Sequence, residues 1–400
     1  MPSAYRALAY NPPVPSTSHA AAEGTQALPA ERAVADRCPG VLRLIEAADG
    51  QLARVRLPGG FVTGQQLRVL ARLAGEMGDG RVELTSRGNV QLRALAAGAA
   101  GRLTSDLAVA GLLPSLDHDR VRNVLASPLA GLDGGHDLAP LVSALDTGLC
   151  ARPRLAELSG RFLFAIDDGR GDVARLGADV VAVARPDGAT VSGLRADADD
   201  VATVMLAFAE AFLDERAALR STAWRVADLP AGTERLGDLV AARCGLARAA
   251  GSAAPVRPPA RPVGLVAGGS SVVLLAPLGR LTAAQVGWLA DRAAGRAARV
   301  TPWRSLVLPD QADTAGVLRE AAALGFGVAA TSPWLRVTAC AGMPGCASAL
   351  ADVQADAARL AARWPGRIVH VSGCGRHCGR PAGTEIDVTA TTDGYQVAPA

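Results

Sequence analysis

Four of the seven cysteines in this 400-residue chain lie near its C-terminus, in two words: Cys340-Ala-Gly-Met-Pro-Gly-Cys346 and Cys374-Gly-Arg-His-Cys378. An odd total so unevenly placed is not the framework of a disulfide-stapled secreted domain, and in a reducing compartment clustered thiolates point to metal. An iron–sulfur cube needs four thiolates arriving from different directions, with backbone N–H groups free to bond the sulfides, and Gly and Pro let both loops wrap in that way. Two other readings stand beside it. Structural zinc usually pairs cysteines two to four residues apart, which the first word fits poorly, and free cysteines are common core residues. His377, inside the second word, has three open roles: bonding a sulfide, ligating a separate iron, or pointing to solvent, the last being favoured. Cys38, Cys150 and Cys244 are scattered and read as structural or incidental.

Each cysteine word must follow a positioning element. A strand over residues 367–372 delivers Cys374, and a helix over 347–364 carries the chain from one side of the site to the other. Upstream, two stretches resemble each other: Leu57-Pro-Gly-Gly-Phe-Val-Thr-Gly-Gln-Gln-Leu67 leading to Arg81–Arg87, and Ala276-Pro-Leu-Gly-Arg-Leu-Thr-Ala-Ala-Gln-Val286 leading to Arg299–Arg304. Both read strand, helix, strand. Each helix opens on Thr-x-x-Gln, Thr63 with Gln66 and Thr282 with Gln285, the capping box that satisfies first-turn donors reciprocally. Leu67, Leu70 and Leu73, then Val286, Leu289 and Ala293, follow at helical spacing. The pairing indicates duplication. Between the copies lie strand-like runs at 161–166 and 179–184, a turn at Pro186-Asp-Gly188 and a helix over about 199–216. The proline-rich segment 251–262 is a linker.

Half the residues are hydrophobic and 20% charged, which excludes bulk disorder. The formal charge of +3, without a basic arm, argues against nucleic acid as a partner. No lysine occurs, so every fixed positive side chain is Arg, and guanidiniums suit two-point capture of carboxylates. The Ala-, Pro- and Ser-rich start over 1–37 reads as a flexible tail rather than a signal peptide. No apolar run reaches spanning length uninterrupted. The expectation is a cytoplasmic protein with no membrane partner. No Gly-x-Gly-x-x-Gly follows a strand, so there is no evident nicotinamide or flavin site, and electrons must come from another protein.

The word Gly373-Cys-Gly-Arg-His-Cys-Gly-Arg-Pro381 after a C-x5-C loop resembles the sulfite/nitrite reductase superfamily. Thr85–Arg93 is similar to its Arg-x-x-x-Gln word and Val121-Arg-Asn-Val124 to its Arg-Asn-Val word. The resemblance implies an α+β fold of two ferredoxin-like half-repeats and two αβ units related by a pseudo-twofold. The expected divisions are 38–115 and 263–332 for the half-repeats, 116–250 for the middle αβ unit and 333–400 for the cluster-bearing unit. It also implies a 4Fe–4S cluster on Cys340, Cys346, Cys374 and Cys378.

Within that superfamily, Asp36-Arg-Cys-Pro-Gly40, Leu84–Arg93, Arg122–Gly131 and Thr301-Pro-Trp-Arg304 together resemble the precorrin-3B synthase family. This likeness implies a monooxygenase that hydroxylates precorrin-3A at C20 with dioxygen and closes a γ-lactone. Its electrons come from a ferredoxin-like or NAD(P)H reductase donor. Oxygen is activated at the cluster or at a separate mononuclear non-haem iron, and no catalytic residue is assigned. The implied substrate-binding set is Arg87, Gln91, Arg93, Arg122, Asn123, Arg161 and Arg304, gathered on the carboxylates of a tetrapyrrole. The reductases carry a Lys-x-Lys pair where this chain has Arg161 and Leu163. A sirohaem-dependent sulfite or nitrite reductase, with Cys378 bridging to the sirohaem iron, is therefore the second reading.

Overall fold

The computed structural model describes Asp36 and residues 38–249 and 262–400. Apart from Asp36, the expected tail lies outside the described residues, as does the linker except for Pro262. The first half runs β1 (Ile45–Ala47), β2 (Gly50–Val55), β3 (Phe61–Val62), α1 (Gly64–Met77), β4 (Arg81–Leu84), β5 (Val90–Leu95) and α2 (Ala100–Val109). The middle unit contains β6 (Val124–Ala126), α3 (Ala139–Cys150), β7 (Phe164–Asp167), β8 (Val180–Arg185), β9 (Gly188–Val191), β10 (Leu194–Ala196), α4 (Val201–Ala218) and α5 (Gly232–Cys244). The second half repeats the first as β11 (Gly264–Leu265), β12 (Val272–Leu275), β13 (Arg280–Thr282), α6 (Ala283–Arg292), β14 (Ala298–Val300), β15 (Ser305–Leu308) and α7 (Thr314–Ala323). The chain ends with β16 (Val337–Ala339), α8 (Val353–Ala361), β17 (Val369–Ser372), β18 (Ile386–Thr391) and β19 (Gly394–Pro399).

Both Thr-x-x-Gln boxes form: Thr63 and Thr282 accept from the N–H of Gln66 and Gln285, whose side chains reach back to the cap N–H groups. Such caps contribute about 1 kcal/mol each. Leu67, Leu70, Leu73, Val286 and Leu289 enter one core shared by both halves. The halves also exchange a strand. The sheet orders are β1-β2-β5-β4-β13 and β11-β12-β15-β14-β3, so each half contributes a short strand, β3 of two residues or β13 of three, to the edge of the other's sheet.

Strands of the first sheet alternate. Ala53, Val55, Val82, Leu84, Val90 and Leu92 face the shared core, and the residues between them face away. That outer face carries a row of directly opposed partners, Arg54, Gln91, Glu83 and Arg280, one from each of β2, β5, β4 and β13. Arg54 Nη2 donates to Gln91 Oε1 at 3.2 Å, Gln91 Nε2 donates to Glu83 Oε2 at 2.5 Å, and Arg280 Nε pairs with Glu83 Oε1 at 3.1 Å. The equivalent row in the second sheet is Val273, Val307, Arg299 and Phe61. There Val273 and Val307 pack with Leu129 and Val266. Arg299, 1% exposed, donates to the carbonyls of Pro128 and Ala130 and lies over the Phe61 ring. Of two symmetry-related faces, one is polar and the other is filled.

The middle and last units share a plan as well. In each, three strands run parallel and a fourth returns antiparallel: β6, β7, β8 and β9, then β16, β17, β18 and β19. Right after the first two strands of the last unit come Cys340 and, one residue further on, Cys374. The helix expected over 347–364 forms only as α8, because Asp352 caps Ala355 N. Before the cap, Ala349 N bonds Cys346 O and Leu350 N bonds Gly373 O, so this stretch folds back on the cysteine loops. The helix expected over 199–216 forms two residues later, as α4.

Candidate functional site

The C-terminal ends of the parallel neighbours β16 and β17 bring the two cysteine words side by side. Cys340 N donates to Val371 O at 3.0 Å, and Gly373 N donates to Cys340 Sγ at 3.1 Å. A Cβ on Gly373 would lie 2.7 Å from the Ala349 Cβ, so glycine is what lets the 346–350 turn close on the Cys374 loop. Cys340, Cys346 and Cys374 are half-buried and Cys378 is exposed. Tetrahedral zinc with Zn–S near 2.3 Å would hold thiolates about 3.8 Å apart. Among the described residues no three of these sulfurs lie within 4.8 Å of one another. The N–H···S bond and the glycines at 342, 345, 373, 375 and 379 give these loops the free backbone donors and the bends that wrapping a metal cluster requires.

His377 is one third exposed, with one ring nitrogen turned inward. Its Nδ1 is buried, 3.9 Å from Asp387 Oδ1, and Asp387 also receives Arg380. Beneath it His370, 0% exposed, bonds the Thr338 hydroxyl through Nδ1, and burial pushes its pKa down to about 4.

In the middle unit the equivalent loops carry side-chain oxygens, Ser127 standing where the last unit has Cys340. Asp168 N donates to Ser127 Oγ at 3.1 Å, mirroring Gly373 N and Cys340 Sγ. The ligand oxygens of Asp167, Asp168 and Asp172 lie within 4.8 Å of one another. These groups already have partners: Asp167 accepts from the N–H groups of Gly169, Gly171, Val173 and Ala174, and Arg170 grips Asp168. Asp172, bonded by Ser127, has its pKa raised to about 7, first by burial and then by the charges of Asp167 and Asp168. The folded state thus keeps this proton up to about pH 7, whereas the unfolded chain releases it near 4. Stability should accordingly fall as pH rises from about 4 to 7, by on the order of 4 kcal/mol. Asp172→Asn should flatten that slope in urea unfolding measured across the range, and an unchanged slope would refute the assignment.

A second site opens between the first half and the middle unit. It is a cavity of about 340 Å³ lined by Cys38, Arg54, Thr85, Ser86, Arg87, Arg161, Arg225 and Asp228. Arg87 Nη1 donates to Gly160 O at 3.2 Å, and Arg161 lies over the Trp224 ring. Arg225 is held by Asp179 and the carbonyl of Gly177. A Cβ on Gly160 would lie 2.7 Å from the Cys38 Cβ, so glycine admits Cys38 to the wall. Burial depresses the pKa of Arg54 and of Arg87, with Arg225 adding repulsion at Arg87. Crowded, partly desolvated guanidiniums favour an anion.

Two of the seven residues predicted to bind substrate, Arg87 and Arg161, face this cavity, and Gln91 stands behind it on Arg54. Arg122 does not: its Nε and Nη2 hold both oxygens of Asp146 at 2.7 Å, Nη1 donates to Leu112 O, and the residue is 4% exposed. Asn123 is also structural, accepting from Asn89 and donating to the carbonyls of Arg120 and Gly160. Arg93 pairs with Asp49 and reaches the first cysteine loop. Arg304 sits under Gly279 with φ of +59°. Thr301 accepts from the N–H groups of Trp303 and Ser305 as Thr85 does from those of Arg87 and Asn89. Trp303 is therefore the counterpart of Arg87, and Arg304 that of Gly88. Arg54, Arg225 and Cys38 were not anticipated. Arg54 could have been found, because Arg-x-Arg in a strand with one apolar face puts both guanidiniums on the other. Arg225 has no local signal.

Residues 45–110, the span from β1 through α2, match the nitrite/sulfite reductase ferredoxin-like half domain. A precorrin-3B synthase from Sinorhizobium sp is 30% identical over 387 residues, covering 90% of this chain and 81% of that protein. A ferredoxin–nitrite reductase from Synechococcus elongatus is 35% identical over 127 residues, 30% of this chain and 25% of that protein. The solved structure of the Mycobacterium tuberculosis NirA protein shares the fold, with a TM-score of 0.71 at 22% identity over 87% of this chain and 74% of that one. No helix among the described residues is long and apolar enough to cross a membrane. With the duplicated ferredoxin-like sheets in place and a relative matched over nearly the whole length, the chain belongs to the precorrin-3B synthase family of the sulfite/nitrite reductase superfamily.

Proposed function

We propose that the chain is a monooxygenase acting on precorrin-3A, adding one atom of dioxygen at C20 as a ring-A acetate closes to a γ-lactone, while the other atom leaves as water with two protons and two electrons from an external donor. The observation that carries this reading is the four-arginine cavity, whose volume takes the carboxylated edge of a large ligand rather than the whole of it. Arg87, Arg161 and Arg54 would offer their remaining N–H donors to a carboxylate, with Arg225, held by Asp179 and the Gly177 carbonyl, adding positive charge to the wall. Cys340, Cys346, Cys374 and Cys378 would hold a four-iron cluster, which when bound supplies electrons singly. A ferredoxin-like protein or an NAD(P)H-dependent reductase is proposed as donor, because no dinucleotide motif is present in the chain.

Reduction of a small oxyanion is the weaker reading. The position of the second lysine is Leu163, 3% exposed and packed with Leu125, Ala165, Val173 and Trp303. An apolar cluster there offers no charge to an anion being reduced stepwise.

The test supplies reduced protein with precorrin-3A and isotopically labelled dioxygen, and a product carrying one labelled oxygen is expected. Binding followed by tetrapyrrole absorbance should weaken by roughly 1.5–3 kcal/mol in Arg87→Ala, the range for hydrogen bonds to charged groups. Arg87→Lys should recover only part, and thermal unfolding should barely change. Unaltered binding in both Arg87→Ala and Arg161→Ala would exclude the cavity as the substrate site.

A further inference from the structure

One side chain joins the polar sheet face to the first cysteine loop. Arg93 leaves β5 on the same face as Gln91, two residues along the strand, and is 7% exposed. Its Nε and Nη2 hold the two oxygens of Asp49 at 3.1 Å each, and Asp49 lies in the tight turn between β1 and β2. The same Nη2 donates to Gly345 O at 2.7 Å, across 252 positions of sequence. Gly345 directly precedes Cys346. A Cβ at 345 would lie 2.6 Å from Arg93 Nη2, so only glycine lets the guanidinium seat against the loop. The other bonds on this loop come from its own unit: Met343 N to Ala351 O, Ala349 N to Cys346 O and Gln354 Nε2 to Cys340 O. Arg93 reaches it from the far half of the molecule.

We propose that Arg93 is a positioning residue: fixed by Asp49, it pins the Gly345 carbonyl and so sets where the Cys346 thiol stands relative to Cys340 and Cys374. The first sheet thereby governs how firmly a metal cluster is retained. A glycine- and proline-rich loop has many accessible conformations, and a buried fork with three satisfied bonds selects one of them. Removing the fork leaves the Asp49 carboxylate and the Gly345 carbonyl without their partner. The inference rests on the four cysteines being the cluster ligands.

Full-length wild type, Arg93→Met, Arg93→Lys and the surface control Arg68→Met, whose partner Asp291 is exposed, are reconstituted anaerobically with iron and sulfide. Iron loss to a chelator is then timed. In the metal-free proteins, alkylation of Cys346 and of Cys374 by iodoacetamide is followed by mass spectrometry. Arg93→Met should lose iron roughly 10-fold or more faster, the usual scale for groups that orient metal ligands. Its Cys346 should alkylate faster while Cys374 keeps the wild-type rate, Arg93→Lys should fall between, and Arg68→Met should match wild type. If Arg93→Met does not fold, Arg93→Lys carries the comparison. Equal iron retention in the Arg93 variants, or equal acceleration at both cysteines, would overturn the proposal. A wild-type chain that takes up no iron would instead overturn the ligand assignment, and the alkylation ratio would still decide the role of Arg93.

Discussion

Cys346→Ser protein, purified without oxygen, is expected to contain well under the roughly four irons per chain of a cubane cluster and to lose its broad visible absorption. The same result should follow at Cys340, Cys374 and Cys378 if each holds one of the four corners, since a serine oxygen is a poor substitute for thiolate at iron. Cys150 ends α3 and Cys244 ends α5, both in the middle unit, and serine at either should leave iron content unchanged. The pattern across six variants separates ligation from general damage. A Cys346→Ser chain with full iron and an unaltered spectrum would be incompatible with the ligand set.

Arg122→Ala should cost about 3–5 kcal/mol of stability, the scale for breaking a buried ion pair from one side. Both Asp146 oxygens would lose their donors, and Leu112 O would lose its bond as well. Arg122→Lys should recover little, because one ammonium cannot span two carboxylate oxygens and a carbonyl. The double variant Arg122→Ala/Asp146→Ala should be less damaged than the sum of the single changes, since the stranded carboxylate is removed with its partner. Urea unfolding measures all three. A near-wild-type midpoint for Arg122→Ala would show that the pair contributes little and would return Arg122 to candidacy as a ligand for substrate.

Local features were legible in the sequence and orientations were not. The Thr-x-x-Gln words specified both helix starts because a capping box is satisfied within four residues. The cysteine words could be placed after strands because the strand of residues 369–372 is all apolar or buried up to the loop. Among the arginines the deciding partners are remote: Asp146 lies 24 positions from Arg122, and Asp49 lies 44 from Arg93. A list of basic residues near family words therefore could not tell a ligand fork from a structural one. The word Thr-Pro-Trp-Arg304 invited alignment with Thr-Ser-Arg87 by counting to the arginine, yet the chain reaches its left-handed residue at Gly88 in one copy and Arg304 in the other. The first residues of 347–364 are good helix formers, yet no helix starts there because the N–H groups of Ala349 and Leu350 are engaged by the cysteine loops.

The reciprocal placement of β3 beside β14 and β13 beside β4 bears on how such a chain could arise. A single half on its own would expose β4 or β14 as an open edge with its backbone donors and acceptors unanswered. Two identical copies would answer one another only by trading that short strand, which is a domain-swapped dimer with twofold symmetry. Fusing the copies makes the trade intramolecular and raises the effective concentration of each strand for its acceptor. It also releases the two faces from having to be the same. Identical subunits must present both rows alike, whereas a fused chain can fill one with Val273, Val307, Arg299 and Phe61 and leave the other open as Arg54, Gln91, Glu83 and Arg280. The covalent join is what makes that asymmetry heritable.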